Sequence, residues 1–305
     1  MDKKYFSYFY LLLCILSWGL IPVVSKKILV ELDNYQMLLY STVFSVLVMG
    51  IILLLQRKTN VVKKYELKQF LNIGFLGFLG TYLYYVLLYK ALSLTTASEG
   101  FILAYTWPIL VLVLSFIILK EKATLKKILS LFISFVGILI IVSQGNFFSI
   151  NFTNLQGDIL ALIGAFTFAL FSVLGKKNNF DPVVSVFIYF LTALILIFPT
   201  TIIFSSLKVP SFDILFWILL NGLLVNGVSY IFWFKALKHG DTHILSNLLY
   251  LTPFLSLIYI SIFLEEEILF SSIVGLVVIV VGIIFQSIKI NKILRSNILE
   301  NLRMR

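Results

Sequence analysis

Glu99 offers the most chemistry in this sequence, because it stands inside an apolar stretch, residues 95 to 119, where a carboxylate costs a few kcal/mol and tends to face a partner or a wet cavity. About one turn, roughly 6 Å, inside the end of that stretch, it could meet a substrate ammonium or accept a proton. The plainer alternative is a helix-start charge favoured by the macrodipole and paired with Lys90. Ser98, Tyr105 and Trp107 lie on the same stretch. A second set, His243, Asn247 and Tyr250, recurs at i, i+4 and i+7 and therefore shares one helix face. With Trp18, from Ser17-Trp18-Gly19, these eight residues are the expected small-molecule site. Their aromatic faces suit apolar groups or a cation, although plain helix packing would also account for Trp18 and a satisfied core contact for His243. Pro108 and Pro253 fall within helical stretches, where each removes a backbone hydrogen bond, and they are the expected hinges. The sequence has no Walker A loop, HExxH, Cys/His metal spacing or GxSxG elbow, so no catalytic residue, cofactor or metal is expected and the protein reads as a non-enzyme.

The elements that must position these residues come in two copies. Shifted by 145, the stretch from Lys90 to Ile138 matches itself without a gap at sixteen of 49 positions, among them Lys90/Lys235, Ala91/Ala236, Tyr105/Tyr250, Pro108/Pro253, Glu121/Glu266 and Gly137/Gly282. A fixed-offset match of that length reads as a duplicated unit. The offset also makes Ser98 the counterpart of His243 and Ile102 that of Asn247, so symmetry points both faces at one central space.

Composition decides what kind of unit is duplicated. With 305 residues, 60% hydrophobic and 12% charged, and a mean hydropathy of +1.04, the chain has about half the charge of a soluble domain. Ten stretches are apolar enough to span a bilayer: 5–25, 35–55, 69–89, 95–119, 125–143, 158–174, 183–206, 212–234, 241–264 and 270–289. The net charge of +10 sits in loops facing lipid and cytoplasm, which excludes a nucleic-acid partner. With the N-terminus inside, twenty of the 24 Lys and Arg fall in cytoplasmic loops, so both termini are expected there. Two five-helix halves must then be inverted. The loops agree: Lys120-Glu121-Lys122 follows the fourth stretch and Glu265-Glu266-Glu267 the ninth. The expected fold is an all-α membrane protein of ten transmembrane helices: a first repeat over 1–143, an extracytoplasmic linker over 144–157, a second repeat over 158–289 and a basic cytoplasmic tail over 290–305. The single cysteine, Cys14, excludes an intramolecular disulfide. Inverted repeats of this kind mark secondary transporters with a site near the midplane.

The duplicated Lys-Ala-Leu, the proline within the next helix, the glutamate after it and the late glycine resemble the EamA-type repeat of the drug/metabolite transporter superfamily. More narrowly, Ala97-Ser98-Glu99 with Tyr105-Thr106-Trp107-Pro108, and Leu245-Ser246-Asn247-Leu248 with Tyr250 to Phe254, are similar to the bacterial aromatic amino acid exporters. That resemblance implies a carrier in the bacterial inner membrane that exports amino acids, aromatic ones among them, or related metabolites by alternating access. Its partners would be a small-molecule substrate and the lipid bilayer, with monomer and homodimer both open. The energy would come from the substrate gradient or from protons, the latter requiring Glu99 or His243 to titrate. Multidrug or cationic-compound efflux is the alternative within transport. A channel or a membrane-embedded enzyme is the alternative outside it.

Overall fold

The computed structural model describes residues 3–94, 103–122, 124–143, 145–146, 154–178, 180–265 and 267–287. Glu99 and Ser98, the tail over 290–305 and most of the linker over 144–157 lie outside the described residues. Within them the regular structure is helical, with no strand. Seven helices are long and apolar enough to cross a membrane: α1 (Tyr5–Leu29), α2 (Asn34–Leu55), α3 (Leu67–Leu94), α6 (Leu155–Asn178), α7 (Pro182–Phe204), α8 (Phe212–His239) and α9 (Thr242–Leu264). Between and after them stand α4 (Trp107–Ile118), α5 (Leu125–Val142) and α10 (Phe270–Ser287). Large apolar side chains such as Leu54, Phe198, Ile202 and Val281 stay exposed along the helices, as they would where lipid tails rather than water are the solvent.

Local chemistry fixes where the helices begin. Asp33 starts α2 by accepting the N–H groups of Tyr35 and Gln36 at 2.8 and 2.9 Å, while Gln36 accepts from Asp33 N–H. Asp181 does the same for α7, accepting from Val183 and Val184 at 3.0 and 3.2 Å ahead of Pro182 in the first turn. Lys120 and Glu265, 145 residues apart, end α4 and α9 in the left-handed conformation, with φ of 54° and 58°.

Segments related by this offset make reciprocal contacts. The bounds of α5 and α10 differ by 145 at both ends, and the two helices pack on each other. A Cβ on Gly137 would lie 2.6 Å from Gly275 O, and one on Gly282, the equivalent of Gly137, would lie 2.8 Å from Ser130 O, the equivalent of Gly275. Gly77 of α3 meets the backbone of Tyr189 in α7, and its equivalent Gly222 in α8 meets that of Ser41 in α2. Both α3 and α8 widen into a π-helical turn at matching places, Phe78–Leu83 and Asn221–Val228. The main core joins α1, α2, α3, α6, α7 and α8 with Trp107 and Val111 of α4 and Leu245 and Leu249 of α9, while a smaller one gathers Leu112, Leu131, Ile138, Ile141, Tyr250 and Ile279 from α4, α5, α9 and α10.

Candidate functional site

A cavity opens where α1, α3, α4, α6, α8 and α9 meet. It is lined by Trp18, Ile21, Tyr84, Tyr85, Leu88, Leu92, Ala104, Tyr105, Trp107, Phe168, Tyr230 and Thr252, and leaves about 60 Å³ for the centres of water-sized molecules. A buried water needs about 10–15 Å³ of such room, so the space takes only a few waters. The walls are aromatic and interlocked edge to face. Trp107 stands 4.9 Å from Phe168, 6.1 Å from Trp18 and 5.7 Å from Trp233 between ring centroids. Indole N–H groups fix the orientation: Trp18 donates to Ser229 at 2.9 Å and Trp233 to Ser172 at 3.1 Å.

Repeat-related residues meet across this space. Tyr85 and Tyr230, 145 apart and each just past a π turn, share a hydrogen bond of 3.1 Å between hydroxyls. Trp107 and Thr252, also 145 apart, both line the wall.

Three of the helices are interrupted at the cavity, each beside a proline. In α1 the chain turns at Gly19-Leu20 and restarts with Ile21-Pro22. A turn at Tyr105-Thr106 precedes Trp107-Pro108 in α4, and one at Leu249-Tyr250 precedes Leu251, with Pro253 two residues on, in α9. Proline lacks the N–H that the carbonyl four residues back would accept, and N–H groups at the breaks bond three residues back in place of four, Leu20 to Ser17, Thr106 to Leu103, Tyr250 to Asn247 and Thr252 to Leu249. The breaks therefore bring backbone polarity to an otherwise apolar wall, which membrane depth tolerates only beside a cavity or within protein. Thr252 Oγ1, buried on this wall, has no hydrogen-bond partner.

Of the expected site residues, Trp18, Tyr105 and Trp107 border the cavity; His243, Asn247 and Tyr250 do not. The two faces therefore do not border the same described cavity. Asn247 donates to Ser130 Oγ at 2.8 Å and to Gln286 Oε1 at 2.9 Å, tying α9 to α5 and α10. Tyr250 packs beside Phe135 in the smaller core. The helix turns at Leu249-Tyr250, one position earlier than in the first copy, which breaks the face that i, i+4, i+7 spacing would keep.

His243 belongs to a charged cluster at one end of the bundle. Its Nε2 lies 3.7 Å from Glu121 Oε2. Lys176 Nζ pairs with Glu121 Oε1 at 2.8 Å and Lys127 Nζ with Asp241 Oδ2 at 2.5 Å. Burial alone would raise the Asp241 carboxyl, but the Lys127 ammonium and the Ile244 N–H outweigh it and hold the group below the usual carboxylate range.

Sequence reasoning missed Tyr84, Tyr85, Phe168 and Tyr230. Carrying the offset upstream of Lys90 finds two of them, since Gly77 falls on Gly222 and Tyr85 on Tyr230.

Comparison with known proteins fits an internally doubled helical transporter. The model of the EamA-like transporter family matches residues 5–143 and again 155–288. The chain belongs to the EamA-like transporter family. An uncharacterised transporter of Archaeoglobus fulgidus is 25% identical over 72% of this chain and 77% of its own. YoaV of Bacillus subtilis, another uncharacterised transporter, is 27% identical over 76% and 80%. One from Clostridium kluyveri is 26% identical over 85% and 86%. A solved crystal structure shares the fold, with a TM-score of 0.81 at 17% identity, over 94% of this chain and 99% of that one. This EamA-like transporter is thus a multi-pass membrane protein with bacterial and archaeal relatives.

Proposed function

We propose that the protein is a secondary carrier that exports amino acids, aromatic ones among them, or related small metabolites across the bacterial inner membrane by alternating access. Its ten spans form two inverted five-helix halves with both termini in the cytoplasm. The single observation that carries the reading is the aromatic cavity between the halves, where equivalent residues Tyr85 and Tyr230 touch. The reciprocal glycine contacts of α5 with α10, and of α3 and α8 with α7 and α2, support the inversion. Trp18, Tyr105 and Trp107 supply flat apolar faces to a substrate ring. The interrupted helices supply backbone N–H and C=O groups to its polar end, and Pro108 and Pro253 serve as hinges where the helices already turn. Glu99 and Ser98 are the remaining proposed contacts. Counterflow by the purified protein in liposomes against a panel of amino acids tests this reading. Saturable exchange of aromatic members is expected, and flux without saturation or exchange would sink it in favour of a channel.

The second reading, efflux of cationic compounds, draws on one observation: no described lining side chain carries a charge, and the ring faces of Trp18, Trp107 and Tyr84 would attract a cation. A growth-inhibition panel separates the two. Resistance to amino acid analogues alone fits the first, and resistance to unrelated cations the second.

A further inference from the structure

Among the described residues, the three lysine–carboxylate ion pairs share two properties. Each joins the first half of the chain to the second: Lys58 to Asp181 at 2.7 Å, Lys127 to Asp241 at 2.5 Å and Lys176 to Glu121 at 2.8 Å. Each also lies at the end of the bundle whose loops carry most of the basic residues, the end read above as cytoplasmic. Together they fasten the helices across that end. The densest knot surrounds Lys176 at the end of α6. Its ammonium donates to Glu121 Oε1, to Thr242 Oγ1 at 2.6 Å and to Gly240 O at 3.1 Å, while Thr242 donates to Glu121 at 3.0 Å.

One member of this knot is unfinished. His243 is 1% exposed, and neither ring nitrogen has a hydrogen-bond partner. Glu121 spends Oε1 on Lys176 and Thr242, and its Oε2 lies 3.7 Å from His243 Nε2. Whichever nitrogen holds the proton of the neutral ring, the other is a buried acceptor left empty, an arrangement that costs about 1–3 kcal/mol.

Ligand atoms of Glu121, Asp241 and His243 lie within 4.8 Å of one another, close enough to hold a metal ion. The charges argue against one. Glu121 and Asp241 are already balanced by Lys176 and Lys127, so a divalent ion would add two uncompensated charges to a half-buried site. A proton adds one, and it makes Nε2 a donor whatever the starting tautomer, 3.7 Å from Oε2 of Glu121.

We propose that His243 and Glu121 form a proton-binding site that releases this latch between the two halves. The proposal rests on the transport reading only in taking this end as one that opens. With the proton on His243, Glu121 is shared between two cations and the knot carries a net positive charge. The repulsion is relieved most readily by Lys176, whose long side chain can withdraw to water. Its departure frees α6 from the loop after α4 and from the start of α9. Acid thus loosens this end and proton loss closes it, the sense required of a carrier that trades an outside proton for an inside substrate.

The groups that bear on His243 are Asp241 on its own helix start, Lys127 from α5, Glu121 from the loop after α4 and Lys176 from α6. Of the other elements packed against it, α8 brings Lys235, Lys238 and His239, and α5 also brings Lys126. Lys126 stands 5.8 Å over the Phe285 ring and Lys235 4.9 Å over the Tyr10 ring. The described part of α10 carries no charge.

Spin labels on the full chain in lipid nanodiscs test the proposal without any substrate. Lys122→Cys and Lys177→Cys, both exposed and on opposite sides of the latch, are placed in a Cys14→Ala background. As the pH falls from about 8 to about 5, the range over which an ordinary histidine titrates, the distance distribution is expected to shift to longer values. The His243→Asn chain should keep the short distance throughout, and Glu121→Gln should show the long one at every pH. An unchanged distance in the parent chain, an equal pH response in His243→Asn, or a response to added zinc in place of acid would overturn the proposal. Counterflow on the same preparations separates the two ideas: a pH response without saturable exchange keeps the latch and removes the carrier, and saturable exchange without a pH response does the reverse.

Discussion

Trp107 touches three other aromatic rings at the cavity, so its size matters more than its one polar atom. Trp107→Ala is expected to destabilise the protein by about 3–5 kcal/mol and to raise the KM for counterflow, while Trp107→Phe recovers most of the stability. Thermal unfolding in detergent, together with initial exchange rates, checks both. Asn247 should behave in the opposite way. It ties three helices together away from the cavity, so Asn247→Leu, which leaves Gln286 Oε1 without its donor while Ser130 keeps its bond to Gly282 O, is expected to cost about 1–3 kcal/mol with KM unchanged. A raised KM with unchanged stability would return Asn247 to the substrate wall. Residue type alone did not distinguish these two cases in the sequence. A polar or aromatic residue inside an apolar helix carries the same signal whether it faces a cavity or a neighbouring helix.

At the scale of elements, the glycines of α5 and α10 decide how closely the pair can approach. Gly137→Val puts a branched side chain where a single Cβ already lies 2.6 Å from backbone. Since neither helix can yield locally, a loss of more than the usual 1–3 kcal/mol of overpacking is expected. The folded fraction recovered in mild detergent reports it, and a folded fraction equal to that of the parent would remove the contact. Helix positions were the part of the fold most legible in the sequence, because lipid demands long apolar runs and the 145-residue offset ties one copy to the other. What stayed hidden was the phase of the second copy. The prolines announce a kink, yet the chain turns at Tyr105-Thr106 in one copy and at Leu249-Tyr250 in the other. Near 100° per residue, that one-position difference accounts for Tyr105 facing the cavity while Tyr250 faces Phe135. Tyr84 and Phe168 were hidden for another reason: in a chain with 29 phenylalanines and 15 tyrosines, aromatic character marks no position as special.

For the whole molecule, the bonds between halves set how stability depends on pH. Asp241 caps α9 and also pairs with Lys127 of the other half. Its carboxyl is held below the usual range, so its contribution is complete above the unfolded value of about 3.9 and is lost as the pH falls through the lower folded value. Asp241→Asn keeps a side-chain oxygen for the cap but loses the pair with Lys127, so it should lower stability at neutral pH by about 0.2–1 kcal/mol and flatten the acid limb of the stability curve below about pH 4. Thermal melts from pH 3 to 7 test this; an acid limb as steep as that of the parent chain would assign the slope to other carboxylates.

The reciprocal contacts have a last consequence. Gly77 finds its partner in Tyr189, Gly222 finds its own in Ser41, and Tyr85 finds Tyr230. Each half keeps its closest fits for the other and spends few of them on itself, as the subunits of an obligate dimer do. A polypeptide cut between residues 147 and 153 should accordingly behave as two subunits. The fragments, expressed together, should copurify and recover exchange activity, whereas either one alone would leave those glycine faces against lipid and be cleared by the cell.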